Sequence, residues 1–181
     1  MPKLCANISM LFNELPFLQR YRAAAANGFV AVECLFPYEF SIDEIAGAIQ
    51  KSGIPQVLFN TSAGNWDAGD RGMACNANRQ QEFQHSVKQA LDYAMAMGKP
   101  LIHVMAGMIP HGVSLAVAEA VYIENLRWAA VEASKLGVRL TMEAINPLDM
   151  PGYLLSNQAQ AMRLLKAINA DNLGLQFDFF H

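Results

Sequence analysis

The feature that most constrains this chain is alternation. Short apolar runs and amphipathic stretches follow one another five times and end on a sixth apolar run. Lys3–Ser9 reads as a buried strand. Glu14–Ala26 follows as a helix, with Leu15, Leu18, Tyr21 and Ala25 at helical spacing and Asn27-Gly28 closing it. Phe29–Leu35 is the second strand. Ser41 with Glu44 three residues on is a capping-box pattern, opening a helix that runs to about Ser52. Ile54–Asn60 is the third strand. A polar, glycine-rich loop over Thr61–Ala77 leads to a helix from about Asn78 to Met97. Pro100–Ala106 is strand four, and Ser114 caps a long helix to Leu136. Val138–Ile145 is strand five, Ser156–Asn169 a helix, and Asn172–Phe179 strand six. Strands joined through helices predict a parallel sheet with helical crossovers, and apolar strands fit a sheet covered on both faces.

Two folds accept this order, the doubly wound open sheet and the eight-stranded (β/α) barrel. The first strand–helix junction, Ser9-Met10-Leu11-Phe12-Asn13-Glu14, lacks the G-x-G-x-x-G of dinucleotide sites, and no G-x-x-x-x-G-K-[ST] loop occurs. Polar residues gather instead where strands end: Asn7 and Ser9, Glu33, Asn60, His103, Glu143 and Asn146, then Asp178 and His181. Residues drawn from many strand ends point to the barrel. Strand centres near residues 6 and 176 give about 34 residues per repeat. Eight such repeats come to about 270, near the ~250 of a typical barrel. The expectation is one α/β domain over residues 1–181, of (β/α)8 TIM-barrel type but incomplete. It has six strands and five helices, with the last two βα units absent through truncation at the C-terminal end.

Composition narrows the function classes. An apolar share of 53% supplies a core and excludes a disordered polypeptide. A net charge of −3 gives no electrostatic footprint for nucleic acid. Cys5, Cys34 and Cys75 lie far apart and fit neither paired disulfides nor a C-x-x-C metal site, which favours a reducing compartment. The stretch Pro100–Ala118 carries no Asp, Glu, Lys or Arg, but His103, Gly107, Pro110, His111 and Gly112 break it, so it is no bilayer span. Residues 1–12 lack the uninterrupted apolar region of a signal peptide. A cytoplasmic protein with no membrane or nucleic-acid partner is expected.

Several residues could carry chemistry. Glu143 ends the apolar strand Leu140-Thr141-Met142-Glu143, where a carboxylate is costly unless paired, hydrogen-bonded or metal-bound; otherwise it is a strand-end residue turned to solvent. Asp178 and His181, three residues apart, can face one metal or substrate, or form an ordinary turn. Such oxygen and nitrogen donors suit Mg²⁺, Mn²⁺ or Zn²⁺. Parallel strands lie about 4.8 Å apart, so carboxylates at consecutive strand tips can share one cation. His103 is either a substrate contact or a satisfied core histidine. Glu33 is either a substrate contact or one half of an ion pair. The loop Ser62–Gly72 is long enough to be a lid, with Trp66 excluding water and Arg71 binding an anionic group, or it is simply solvated.

The sequence resembles the hydroxypyruvate isomerase family, within the xylose-isomerase-like barrels, over essentially its whole length. The resemblance rests on Ala6-Asn7-Ile8-Ser9-Met10-Leu11-Phe12, Phe29-Val30-Ala31-Val32-Glu33, Pro37-Tyr38, and Phe59-Asn60-Thr61 with Asp67 to Gly72. It continues through Glu143-Ala144-Ile145-Asn146 and Gln176-Phe177-Asp178-Phe179-Phe180-His181. It implies interconversion of hydroxypyruvate and tartronate semialdehyde with a divalent metal, Mg²⁺ or Mn²⁺. By the same resemblance Glu143 is metal ligand and acid/base, Asp178 is a metal ligand, and His181 lies near the substrate. His103, Glu33, Asn7 and Arg71 complete the expected substrate contacts. A 2-oxo-tetronate isomerase and a ketose 3-epimerase are the enzymatic alternatives. The non-enzymatic one is an inactive barrel fragment that self-associates, since an open six-stranded sheet exposes edges at its first and last strands and invites a homo-oligomer.

Overall fold

Helix starts and stops follow local chemistry. Ser41 opens α2 (Ile42–Ser52) with a complete capping box, Ser41 Oγ accepting from Glu44 N at 3.3 Å while Glu44 Oε2 accepts from Ser41 N at 2.9 Å. Ser114 and Asn157 cap α4 (Leu115–Lys135) and α5 (Gln158–Ile168) through side-chain oxygens. The first helix, α1 (Phe17–Ala26), begins three residues later than periodicity predicts, because Pro16 occupies its N-cap. The helix expected from Asn78 opens as a 3-10 turn, Ala77–Arg79, before α3 (Gln80–Ala96).

The computed structural model describes residues 3–181, with Met1 and Pro2 outside the described residues. Six strands alternate with these helices: β1 Cys5–Asn7, β2 Ala31–Glu33, β3 Gln56–Asn60, β4 Leu101–His103, β5 Leu140–Glu143 and β6 Leu173–Gln176. They form one sheet in the order β1-β2-β3-β4-β5-β6, every neighbouring pair parallel. This is the (β/α) barrel order that the alternation predicts. The strands are shorter than their apolar runs. Flanking residues such as Val104, Ala144 and Ile145 are buried beyond the strand ends: Val104 N still donates to Thr141 O of β5 at 2.9 Å, whereas Ile145 N turns to Leu155 O at 2.9 Å.

Successive strand residues point to opposite faces. Ala6, Val32, Phe59, Ile102, Leu140 and Met142 face outward and are fully buried against the helix layer, which contributes Tyr21, Ile45, Phe83, Tyr122 and Leu126. Each large side chain so buried stabilises the fold by about 1.5–3 kcal/mol. The concave face is left to the alternate positions, which include the final residue of every strand.

Two isolated antiparallel bridges, Gly72↔Ala106 and Met108↔Tyr153, tie together the loops that follow β3, β4 and β5. Gly72 has φ +109°, and a Cβ there would sit 2.5 Å from Met105 O. Gly107, also at positive φ, packs equally close to the Gly72 backbone. Only residues without side chains allow the two loops to meet here. Among the described residues no helix is long and apolar enough to cross a membrane.

Candidate active site

Every strand ends on a polar residue: Asn7, Glu33, Asn60, His103, Glu143 and Gln176. The pairings Asn7↔Glu33, Asn60↔His103 and Glu143↔Gln176 put these ends side by side on the concave face. Their side chains form an arc. Asn7 Nδ2 donates to Glu33 Oε1 at 3.0 Å. His103 Nδ1 lies 3.3 Å from Asn60 Oδ1 and 3.8 Å from Glu143 Oε2. Gln176 Nε2 donates to Glu143 Oε1 at 3.1 Å.

Electrostatics single out Glu143. Burial pushes its carboxyl up to about 7, with repulsion from Asp178 and then Glu33 adding to the rise and the Gln176 amide opposing it. Glu33 is also raised, mainly by burial and further by Asp178, against the Asn7 hydrogen bond. His103 goes the other way. Burial first, and the neighbouring His181 second, lower its ring to about 4, so it is neutral near pH 7. Because Asn60 Oδ1 can only accept, His103 donates from Nδ1, which leaves Nε2 buried with no hydrogen-bond partner. The core-histidine alternative is therefore only half satisfied, one ring nitrogen being paired and the other not.

Asp178 does not end a strand as its sequence context suggests. β6 stops at Gln176, and Asp178 lies in the turn beyond, its Oδ1 accepting from Phe180 N at 2.8 Å. The turn nevertheless folds back over the arc. Glu143, Asp178 and His181 each offer one donor atom within 4.8 Å of the others, Glu143 from a buried position and the other two exposed. His181 Nδ1 meets Asn146 Nδ2 at 3.1 Å.

Arg71 stands apart from this group, in the rim loop. Its Nη1 donates to the carbonyls of Trp66 (3.0 Å) and Asp70 (2.7 Å), and its Cζ sits 3.7 Å over the Trp66 ring, which packs against Phe36. Asp70 in turn pairs with Arg79 at 2.7 Å, and its carboxyl is held low chiefly by that hydrogen bond. The loop is thus an internally bonded flap.

Of the residues expected from sequence, Glu143, Asp178, His181 and His103 converge. Glu33 and Asn7 flank them, and Arg71 is separate. Gln176 was not among them, although its ladder pairing with Glu143 makes it that residue's hydrogen-bond partner. A polar residue closing an apolar strand was its available signal.

A family model described as xylose isomerase-like TIM barrel matches residues 21–181. A 2-oxo-tetronate isomerase of Cupriavidus necator is 45% identical over 181 residues, covering all of this chain and 70% of that protein. Hydroxypyruvate isomerase of Escherichia coli is 39% identical over the same span and shares. Among solved structures, one described as AP endonuclease, family 2, from Brucella melitensis superposes with a TM-score of 0.96 at 42% identity, over 100% of this chain and 70% of that one. D-psicose 3-epimerase from Clostridium cellulolyticum H10 superposes with a TM-score of 0.75 at 17% identity, over 96% and 62%, a likeness of fold alone.

Proposed function

The chain belongs to the xylose isomerase-like TIM barrel family, and from that premise we propose that it isomerises small hydroxy-carbonyl acids, hydroxypyruvate to tartronate semialdehyde in the first instance. The names of its relatives support this class, and 2-oxo-tetronates are the alternative substrates. One observation carries the reading at the level of residues. Glu143 is buried, its carboxyl pushed up to about 7, with Asp178 beside it. A base poised near working pH is what proton transfer next to a carbonyl needs.

The donor set fits a divalent cation, Mg²⁺ or Mn²⁺. Burial and then the charge of Asp178 raise Glu143, and a cation held by these two carboxylates would relieve that repulsion. Bound there, the cation supplies positive charge against the negative charge that develops on the substrate oxygens. Glu143 removes the proton from the hydroxyl-bearing carbon and returns it to the neighbouring carbonyl carbon, while the hydroxyl proton passes to the former carbonyl oxygen. His181 hydrogen-bonds a substrate oxygen. Asn7 and Glu33, with His103 behind Glu143, define the polar wall that orients the substrate. Arg71, preorganised on Trp66, binds the substrate carboxylate at the rim. A reducing cytoplasm suits the three free cysteines, of which Cys34 and Cys75 are buried.

The test is turnover. Hydroxypyruvate and a 2-oxo-tetronate are incubated with the protein and Mg²⁺ or Mn²⁺, and products are read by NMR. Isomer formation by the wild type, lost about 10²-fold or more in Glu143→Gln, is expected. Undiminished turnover in Glu143→Gln refutes the assignment of the base, and no isomer from either substrate refutes the substrate class.

A further inference from the structure

Asn146 spends its whole hydrogen-bonding capacity. Its Oδ1 accepts from the backbone N–H groups of Leu148 and Asp149, each at 3.0 Å. Those donors cannot act as acceptors, so they fix which end of the amide is oxygen. The amide nitrogen then donates one N–H to Asp149 Oδ2 at 2.7 Å and turns toward His181 Nδ1 at 3.1 Å. The turn carrying this arrangement, Asn146-Pro147-Leu148-Asp149, is closed further by Met150 N donating to Asn146 O at 3.2 Å.

An amide N–H is met by a lone pair. Nδ1 of His181 is therefore the unprotonated ring nitrogen, and the ring proton sits on Nε2. A histidine that binds a metal normally shows the opposite arrangement, giving its second N–H to a carboxylate or carbonyl while the free lone pair meets the ion. Here the lone pair of Nδ1 is occupied by Asn146 and Nε2 carries the proton. The imidazole lies within 4.8 Å of the two carboxylates, but a cation there would have to displace either the Asn146 contact or the ring proton. We infer that Asn146 is a positioning residue that fixes His181 as an Nε2–H donor to a substrate oxygen and keeps it out of the cation's ligand set. The Glu143–Asp178–His181 group then divides by role, its carboxylates facing a cation and its imidazole facing the substrate. The substrate half of this inference rests on the isomerase reading above, and the tautomer rests on the hydrogen bonds alone.

The experiment is ¹⁵N NMR of the His181 ring in the full chain, with Mg²⁺ as a diamagnetic probe. The wild type should show a protonated Nε2 and an unprotonated Nδ1, and adding Mg²⁺ should shift neither to the position of a metal-bound nitrogen. Adding hydroxypyruvate to Glu143→Gln should move the Nε2–H proton resonance downfield. The double variant Asn146→Asp/Asp149→Asn keeps both backbone acceptor contacts, reverses the 2.7 Å contact so that residue 149 donates, and replaces the N–H facing His181 with an acceptor. It should carry the ring proton to Nδ1 and raise KM tenfold or more, with a smaller change in kcat. A wild-type ring protonated on Nδ1, or a metal-bound nitrogen on adding Mg²⁺, overturns the inference. So does an Nε2–H resonance that ignores the substrate. Absence of turnover with the expected tautomer in place would instead count against the isomerase reading, so the two failures are distinguishable.

Discussion

Gln176 Nε2 donates to Glu143 Oε1 at 3.1 Å, across a strand pair in which the two residues are direct ladder partners. One carboxylate oxygen is thereby held, and the other is left facing the His103 ring at 3.8 Å. Thr141 Oγ1, 3.5 Å from Gln176 Oε1, favours the amide orientation that makes this donation. The bond stabilises the ionised form of a group that burial drives toward neutrality.

Gln176→Met removes that donor at similar volume. A hydrogen bond to a charged group is worth about 1.5–3 kcal/mol, or roughly one to two pH units. Glu143 should therefore titrate higher still, turnover at pH 7 should fall about tenfold or more, and raising the pH should restore much of it. The pH profile of kcat/KM checks this, and a profile superimposable on that of the wild type contradicts it.

Burial moves Glu143 and His103 in opposite directions, to about 7 and about 4. In an unfolded polypeptide they titrate near about 4.3 and 6.5. Folded Glu143 keeps a proton that the unfolded state releases, so its contribution is whole below about pH 4.3 and is lost as pH rises through about 7. The neutral His103 contributes fully above about pH 6.5, and that contribution is lost as pH falls through about 4. The two slopes oppose each other in the wild type. Glu143→Gln should lose stability more steeply than wild type on acidification from about 6.5 to 4. His103→Gln should lose it more steeply on raising pH from about 4.3 to 7. Denaturant midpoints across this range, taken without divalent cations, check both; three parallel curves would refute the opposition.

Gly72→Ala places a Cβ 2.5 Å from Met105 O at a φ of +109°. Strain of this kind costs about 1–3 kcal/mol. A fall in Tm of about 3–10 °C is expected, seen by calorimetry, with faster exchange of the Gly72 and Cys75 amides. An unchanged Tm would show that the rim yields more easily than its packing indicates.

Arg71 has its guanidinium stacked on Trp66 with Nη1 tied to two carbonyls. If it receives the substrate carboxylate, Arg71→Met should raise KM by about tenfold or more and leave kcat within about threefold, since a carboxylate contact made equally in ground and transition states affects binding. Steady-state kinetics with hydroxypyruvate checks this, and an unchanged KM assigns Arg71 to holding the flap alone.

The element order was legible because breakers and periodicity agree with it. Ser41 with Glu44, Ser114, and Gly53 after α2 mark real helix ends. Strand lengths were not legible, since Val104 and Ile145 are as apolar and as buried as ladder residues, and the strand ends where backbone bonds change partner, as Ile145 N does in turning to Leu155 O. Glu143 could be found from its chemistry, as a carboxylate in an apolar run. Gln176 shows only as a polar residue closing an apolar strand, because its importance lies in register, a relation between two strands that neither strand contains. Asn146 stood out as polar, but its use depends on which backbone N–H groups the following turn brings to its oxygen.

The bridges Gly72↔Ala106 and Met108↔Tyr153 join three successive rim loops through their backbones. In engineering terms, the mouth of this site is one inherited part and not three. Grafting a single loop from a relative would break a backbone ladder at its neighbour. New specificity on this scaffold would therefore be obtained by transplanting the loops after β3, β4 and β5 as a set, or by changing only side chains that the ladder leaves free.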